Sequence, residues 1–248
     1  LGNELQAAAE RFPNFRYIFT DVDELDICNK SALDNFIREH RIEIIINCAA
    51  YTAVDKAEED IKKCYAINAQ AVKNIGEIAE NFQLKVVHVS TDYVFDGKSF
   101  KPYTEDMCVS PDTVYGKSKL EGEKFLQAAC HQYIIIRTSW LYSSYGNNFV
   151  KTMLRLGKEK DSLNVIFDQI GTPTYAADLA ASILKILSQN KFISGIYHFS
   201  NEGVCSWYDF ATAIFKIAQI NCQVNPIETK DYPAKAPRPY YSVLNKAK

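Results

Sequence analysis

Three short runs, Glu43–Cys48 (EIIINC), Lys85–Ser90 (KVVHVS) and Ile134–Thr138 (IIIRT), carry branched aliphatic residues at successive positions rather than alternate ones. Successive side chains of a strand point to opposite faces, so runs of this kind are covered on both sides. Longer amphipathic stretches separate them: Ser31–His40, with Leu33, Phe36 and Ile37 on one stripe, then Asp60–Phe82, then Val114–Ala129. Their apolar residues recur with helical period. Doubly covered strands alternating with helices make a parallel sheet, and right-handed crossovers wind it on both faces. The expected class is α/β, a doubly wound Rossmann-like sheet. Arg16–Thr20 reads as one more strand of it.

After Trp140 the pattern loosens. Helices are expected over Phe149–Lys158, Ala176–Leu187 and Trp207–Ala218, and short strands over Asn164–Phe167 and Ile196–Ser200. Asp231–Pro239, rich in proline, reads as an irregular loop. The expected division is a dinucleotide-binding domain over 1–142 and a smaller α/β domain over 143–248, with segments near Tyr197 returning to the first sheet. A dinucleotide fold opens with a strand, a glycine-rich turn and a helix. This chain opens at Leu1-Gly2-Asn3-Glu4-Leu5, which reads as the last glycine of such a turn entering its helix. The expectation is a natural chain that is longer at this end, and Ser242–Lys248 reads as the approach to a further helix.

The 248 residues are 47% hydrophobic, enough for a sizeable core. A net charge of -2 leaves no excess of cations for general nucleic-acid binding. No apolar run reaches membrane-spanning length, and Leu1–Glu10 reads as polar helix rather than secretory leader. Seven scattered cysteines, odd in number and never spaced C-x-x-C, fit a reducing compartment, so the expected location is the cytoplasm. Neither they nor the four histidines cluster at metal-ligand spacing, and no metal site is expected from them.

Tyr115 and Lys119 form a Y-x-x-x-K pair. On a helix these positions share a face, and a lysine charge beside the phenol would lower its proton affinity and make it a usable acid for a carbonyl oxygen. A chain with 15 tyrosines holds about one such pair by chance, so the spacing alone suits a solvated helix better. Context adds to it. Ser90-Thr91-Asp92-Tyr93 follows the run Lys85–Val89, and polar residues past the carboxyl end of a parallel strand stand where open α/β sheets bind ligands. Asp92 serves equally as a cap between strand and loop. Asn47 to Asp55 ends another strand, and its small residues either admit a cofactor to the backbone or allow tight packing. Asp21 ends Arg16–Thr20, where an acid accepts hydrogen bonds from an adenosine ribose or merely shapes a turn. No arginine follows it closely, which leaves room for NADH and offers no clamp for a 2′-phosphate. Trp140 follows Ile134–Thr138 and reads more readily as a core residue at the domain junction than as a pocket wall.

Taken jointly and in order, NCAAYTAVDKAE (47–58), STDYVF (90–95), YGKSKLEGE (115–123), RTSWLY (137–142), GNNFVKTMLR (146–155) and the GTP (171–173) of DQIGTP resemble the dTDP-4-dehydrorhamnose reductase family of extended short-chain dehydrogenases. The resemblance spans essentially the whole chain. It implies that Tyr115 gives a proton to the C4 carbonyl oxygen, that Lys119 binds the nicotinamide ribose and tunes Tyr115, and that Thr91 hydrogen-bonds the same oxygen. It implies that Asp92 and Trp140 contact the deoxysugar nucleotide. Gly2, Asp21, Ala50, Tyr51, Thr52 and Val89 would line NADPH or NADH, with Asp26 and Ile27 flanking the adenine. Some members of the family hold magnesium at a dimer contact, so a homodimer and Mg2+ are family-level expectations. Two other readings stand beside this one. A sugar-nucleotide dehydratase or epimerase returns its hydride, but dehydratases usually place Asp-Glu after the threonine, where this chain has Asp92-Tyr93. A regulatory subunit of the methionine adenosyltransferase type shares the fold and binds an enzyme; retention of Thr91, Tyr115 and Lys119 together favours catalysis.

Overall fold

The computed structural model describes all residues, 1–248. The chain runs α1 (Gly2–Ala8), α2 (Lys30–His40), β1 (Ile44–Asn47), α3 (Val54–Ala57), α4 (Ile61–Tyr65), a π-helical turn (Ala66–Gln70), α5 (Ala71–Phe82), β2 (Lys85–Thr91), α6 (Val114–Ala129), β3 (Tyr133–Thr138) and β4 (Leu141–Tyr142). It continues as α7 (Phe149–Glu159), β5 (Ser162–Ile166), β6 (Ile170–Gly171), β7 (Thr174–Tyr175), α8 (Ala176–Leu187), β8 (Gly195–His198), β9 (Cys205–Ser206), α9 (Trp207–Ala218) and β10 (Gln223–Ile227).

Strands β1, β2, β3 and β8 form one parallel sheet in that spatial order. The doubly apolar runs do what their pattern requires. Val86 and Ile135 point into a core with Leu33 and Ile37 of α2, Ile75 and Ile78 of α5 and Leu126 of α6. Val87, Ile134 and Ile136 point the other way, onto Leu5 of α1 and Leu179, Ile183 and Leu184 of α8. Each fully buried aliphatic side chain contributes about 1.5–3 kcal/mol relative to exposure, so both faces hold the sheet. A third core, with Met153, Leu163, Ile214 and Phe215, joins α7, α9 and the parallel pair β5–β10. Strand β8 returns from the second half of the chain to pair with β3.

Local signals set the helix starts. Thr113 caps α6 by accepting from the Gly116 N–H, Asn148 caps α7, and Ser206 with Asp209 makes a capping box for α9.

Two expectations need correction. Arg16–Thr20 carries no regular secondary structure and pairs with no strand. A strand exists by pairing, and β1, at the sheet edge, pairs with β2 alone. The helix expected over Asp60–Phe82 is α4 and α5 joined through the π turn. That turn places Asn68, 1% exposed, where its amide reaches Tyr51 and Ser118. A buried amide needs such partners, and the altered helical repeat supplies them.

Candidate active site

The carboxyl ends of β1, β2 and β3 lie side by side, with Asn47 opposite His88 and Thr91 opposite Thr138. The loops leaving them carry the candidate residues. Helix α6 crosses the same edge, and Tyr115 and Lys119 share its buried face. Close contact makes this crossing possible: a Cβ on Gly116 would meet the Tyr93 carbonyl at 2.3 Å, so only glycine fits there.

The structure gathers Thr91, Asp92, Tyr115 and Lys119 into one buried group, with half-buried Val89 beside it. Thr91 Oγ1 donates to Asp92 Oδ1 at 3.0 Å and accepts from the Tyr93 N–H at 3.2 Å. Asp92 is 4% exposed, and its Oδ2 has no hydrogen-bond partner. Burial pushes its carboxyl up to about 7, against the Thr91 hydrogen bond and the nearby Ser242 hydroxyl, which pull it down. Tyr115 packs edge-on against Tyr93, with ring centroids 5.4 Å apart. Lys119 Nζ donates to the Val89 carbonyl at 2.7 Å and stands 3.3 Å from His88 Nε2.

From sequence, Lys119 is expected to lower the proton affinity of Tyr115. In the structure the phenol is pushed up instead: burial dominates, the Thr91 hydroxyl pulls back, and Asp92 and Cys64 push the same way as burial. Lys119 is turned to Val89 and His88, and burial pushes it down to about 8 while Glu123 draws it up. The phenol therefore rests fully protonated, the form an acid must have before it acts.

The other expected residues lie around this group. Ala50, Tyr51 and Thr52 follow β1; Asn68 Oδ1 accepts from the Tyr51 N–H at 2.8 Å, and Asn68 Nδ2 donates to the Tyr51 carbonyl at 3.1 Å, so the loop is held by its backbone. Trp140 follows β3 with φ of +48° and stacks on Trp207, centroids 3.5 Å apart. A Cβ on Gly171 would meet the Trp140 indole at 2.5 Å, so the ring lies against bare backbone. Asp21 and Asp26 sit in an exposed turn, each accepting from a nearby backbone N–H, and half-buried Ile27 packs on the first core. Gly2 opens α1 with free space about it.

Several contributors have no sequence motif. Asn68, His88, Trp207 and Ser242 are among them, as is Arg238 of the proline-rich loop. Arg238 Nη2 pairs with Asp55 Oδ2 at 2.5 Å, while its buried Nη1 has no partner. It lines a cavity of about 120 Å³ with Gln169, Thr229 and Tyr232. A lone arginine between prolines in a loop otherwise read as irregular was the available signal. No helix is long and apolar enough to cross a membrane, and no group of three or more His, Cys, Asp or Glu side chains gathers to hold a metal ion.

The whole chain, residues 1–248, matches the family described as the RmlD substrate binding domain. A dTDP-4-dehydrorhamnose reductase of Aggregatibacter actinomycetemcomitans is 43% identical over 258 residues, covering 100% of this chain and 88% of the relative. The chain belongs to the dTDP-4-dehydrorhamnose reductase family. A member from Escherichia coli K12 is 41% identical, with 100% of this chain and 87% of that one covered. Among solved structures, a family member from Clostridium acetobutylicum superposes with a TM-score of 0.94 at 46% identity, covering 99% of this chain and 86% of that one. Another from Bacillus anthracis, solved in complex with NADP, superposes equally well at 44% identity over the same shares.

Proposed function

We propose that this chain reduces the C4 ketone of dTDP-4-dehydro-6-deoxy-L-mannose (dTDP-4-dehydrorhamnose) to give dTDP-L-rhamnose, using NADPH or NADH. The observation that carries the reading is the buried Tyr115 phenol, protonated and beside the Thr91 hydroxyl, on the helix face that also carries Lys119.

The residues present fit a reduced dinucleotide. Ala49 and Ala50 keep side-chain bulk away from the backbone after β1, Asn68 fixes Tyr51 there, and Lys119 offers a buried nitrogen with hydrogen-bonding capacity to spare. Lys119 would hold the nicotinamide ribose, Tyr51, Thr52 and Val89 would line the ring, and Gly2, Asp21, Asp26 and Ile27 would meet the adenosine half. When bound, the cofactor supplies the hydride. Tyr115 donates the proton to the forming C4 alkoxide, and Thr91 hydrogen-bonds the same oxygen. Asp92, with a free buried Oδ2, takes a sugar hydroxyl, and Trp140 covers an apolar face of the sugar. Arg238, with a free Nη1 at a cavity, takes the diphosphate. In this reading residues 1–142 serve the cofactor and 143–248 mainly the sugar nucleotide. A homodimer, with magnesium at its contact as in some members of the family, is the assembly this reading expects, and mass measurement with and without chelator tests it.

The test is turnover of dTDP-4-dehydrorhamnose by the chain, followed as loss of NADPH or NADH absorbance, with Tyr115→Phe alongside. Oxidation that the substitution reduces by about a hundredfold or more supports the reading. No oxidation by folded protein that binds the cofactor overturns it.

A further inference from the structure

Beneath Lys119 runs a chain of side-chain hydrogen bonds whose direction is fixed at its far end. The Ala49 N–H donates to Asn47 Oδ1 at 3.1 Å. The Asn47 amide therefore turns Nδ2 toward His88 Nδ1, 3.1 Å away; the reversed amide would set donor against donor. An amide NH₂ only donates, so His88 Nδ1 accepts, and the neutral ring carries its proton on Nε2. His88 is fully buried, and burial holds it well below the ordinary histidine range. Nε2 then aims its N–H at Lys119 Nζ, 3.3 Å away. An ammonium there would oppose N–H to N–H. A free amine accepts from His88 and keeps two hydrogens, one for the Val89 carbonyl and one for the site.

We propose that His88 is a positioning residue acting through Lys119: held as the Nε2–H tautomer, it donates to the lysine nitrogen and keeps it able to stand as a free amine that takes up and returns a proton beside Tyr115. The functional part of this rests on the reductase reading. The other groups facing Lys119 do not undo the arrangement. Glu123, one helical turn on, favours the ammonium, but its oxygens are taken by Arg137 and Ser90. Cys48 beyond β1 and Cys64 of α4 are thiols that burial keeps protonated.

Two measurements test this. The first is the ¹⁵N spectrum of the histidine-labelled, cofactor-free chain, with His88→Gln assigning the signal among the four histidines. The expected ring has Nδ1 bare and Nε2 protonated from about pH 6 to 9. An Nδ1–H tautomer, or an imidazolium near neutral pH, overturns the proposal whatever the turnover. The second is the pH profile of kcat/KM. The unaltered chain should show a limb near pH 8. In His88→Leu, loss of the opposing donor favours the ammonium, moves that limb up by about one pH unit and lowers kcat/KM about tenfold. In His88→Gln the side-chain amide repeats the same donor chain, so the limb stays and kcat/KM falls by less than about threefold. An unmoved limb in folded His88→Leu overturns the proposal. If His88→Leu does not fold, the tautomer in the unaltered chain decides. Absence of turnover in the unaltered chain sinks the reductase reading and leaves the tautomer measurement standing.

Discussion

Trp140 and Trp207 lie face to face, ring centroids 3.5 Å apart and planes within 8° of parallel. The two come from distant parts of the chain: Trp140 from the loop after β3, Trp207 from the first turn of α9, where the Phe149 ring packs at a tilt. Trp140 holds a positive φ that a bulky residue rarely adopts, so its ring position depends on what presses on it. An aromatic pair of this kind contributes about 0.5–1.5 kcal/mol. Trp207→Ala should raise KM for the sugar nucleotide about threefold to tenfold with little change in kcat, and Trp207→Phe should restore most of it. These are the chain's two tryptophans, so in Trp207→Phe substrate quenching of the remaining fluorescence reports Trp140 directly. An equal loss of kcat would place Trp207 elsewhere in the mechanism.

The Glu123–Arg137 pair lies deeper, between α6 and β3. Both side chains are almost wholly buried, joined at 2.7 Å and 3.0 Å, with Ser90 Oγ donating to the same carboxylate and Phe95 beneath the guanidinium. Removing one member leaves an uncompensated buried charge. Glu123→Ala should lower unfolding free energy by about 3–5 kcal/mol, read as a lower urea midpoint. Replacing both, as Glu123→Leu with Arg137→Met, should lose less than the single change. A single variant as stable as the unaltered chain would refute the account.

What was legible in the sequence follows the range of the forces involved. Helix α6 was readable to the residue because the amphipathic pattern over Val114–Ala129 is local, and the structure adds the Thr113 cap at its start. Helices α8 and α9 were readable for the same reason, their periodicity being local. Thr91 and Asp92 drew attention because they follow a strand at short range, whereas Tyr115 and Lys119, whose spacing alone suits a solvated helix, stood out through that context and the joint resemblance of the motifs. Arg16–Thr20 misled because pairing depends on a neighbour that its own composition does not encode. The π turn was invisible because its cause, Asn68 reaching Tyr51, spans 17 residues. His88 looked like any strand residue until β1 set Asn47 beside it.

Asp92 links stability to pH. Its folded carboxyl is raised from 3.8 to about 7, chiefly by burial. The folded state therefore holds a proton that the unfolded chain has released, and stability is greatest below about pH 4 as far as this group is concerned. It falls as pH rises toward 7, by about 4 kcal/mol in all, and is flat beyond. Asp92→Asn should remove that slope from the pH dependence of the urea midpoint, while raising KM for the sugar nucleotide. A slope unchanged in the variant would show that Asp92 is solvated in solution.

Asn68 supports the cofactor side by the same logic of buried polar groups. Its amide accepts from the Tyr51 N–H, donates to the Tyr51 carbonyl and donates to Ser118 Oγ, so one side chain ties the loop after β1 to both the π turn and α6. Asn68→Ala leaves several of these partners unpaired, each costing about 1–3 kcal/mol where water cannot replace the bond. Half-buried Tyr51 can recover part of that from solvent by moving outward, which relaxes the loop proposed to line the nicotinamide. The expected result is a loss of stability of about 2 kcal/mol together with a roughly tenfold weaker Kd for NADPH, measured by calorimetry on the folded variant. Asn68→Asp keeps the acceptor for Tyr51 N–H but removes the donors, so it should fall on the same side. A variant that loses stability but binds NADPH normally would separate the buried network from the cofactor loop, and would move the nicotinamide away from Tyr51.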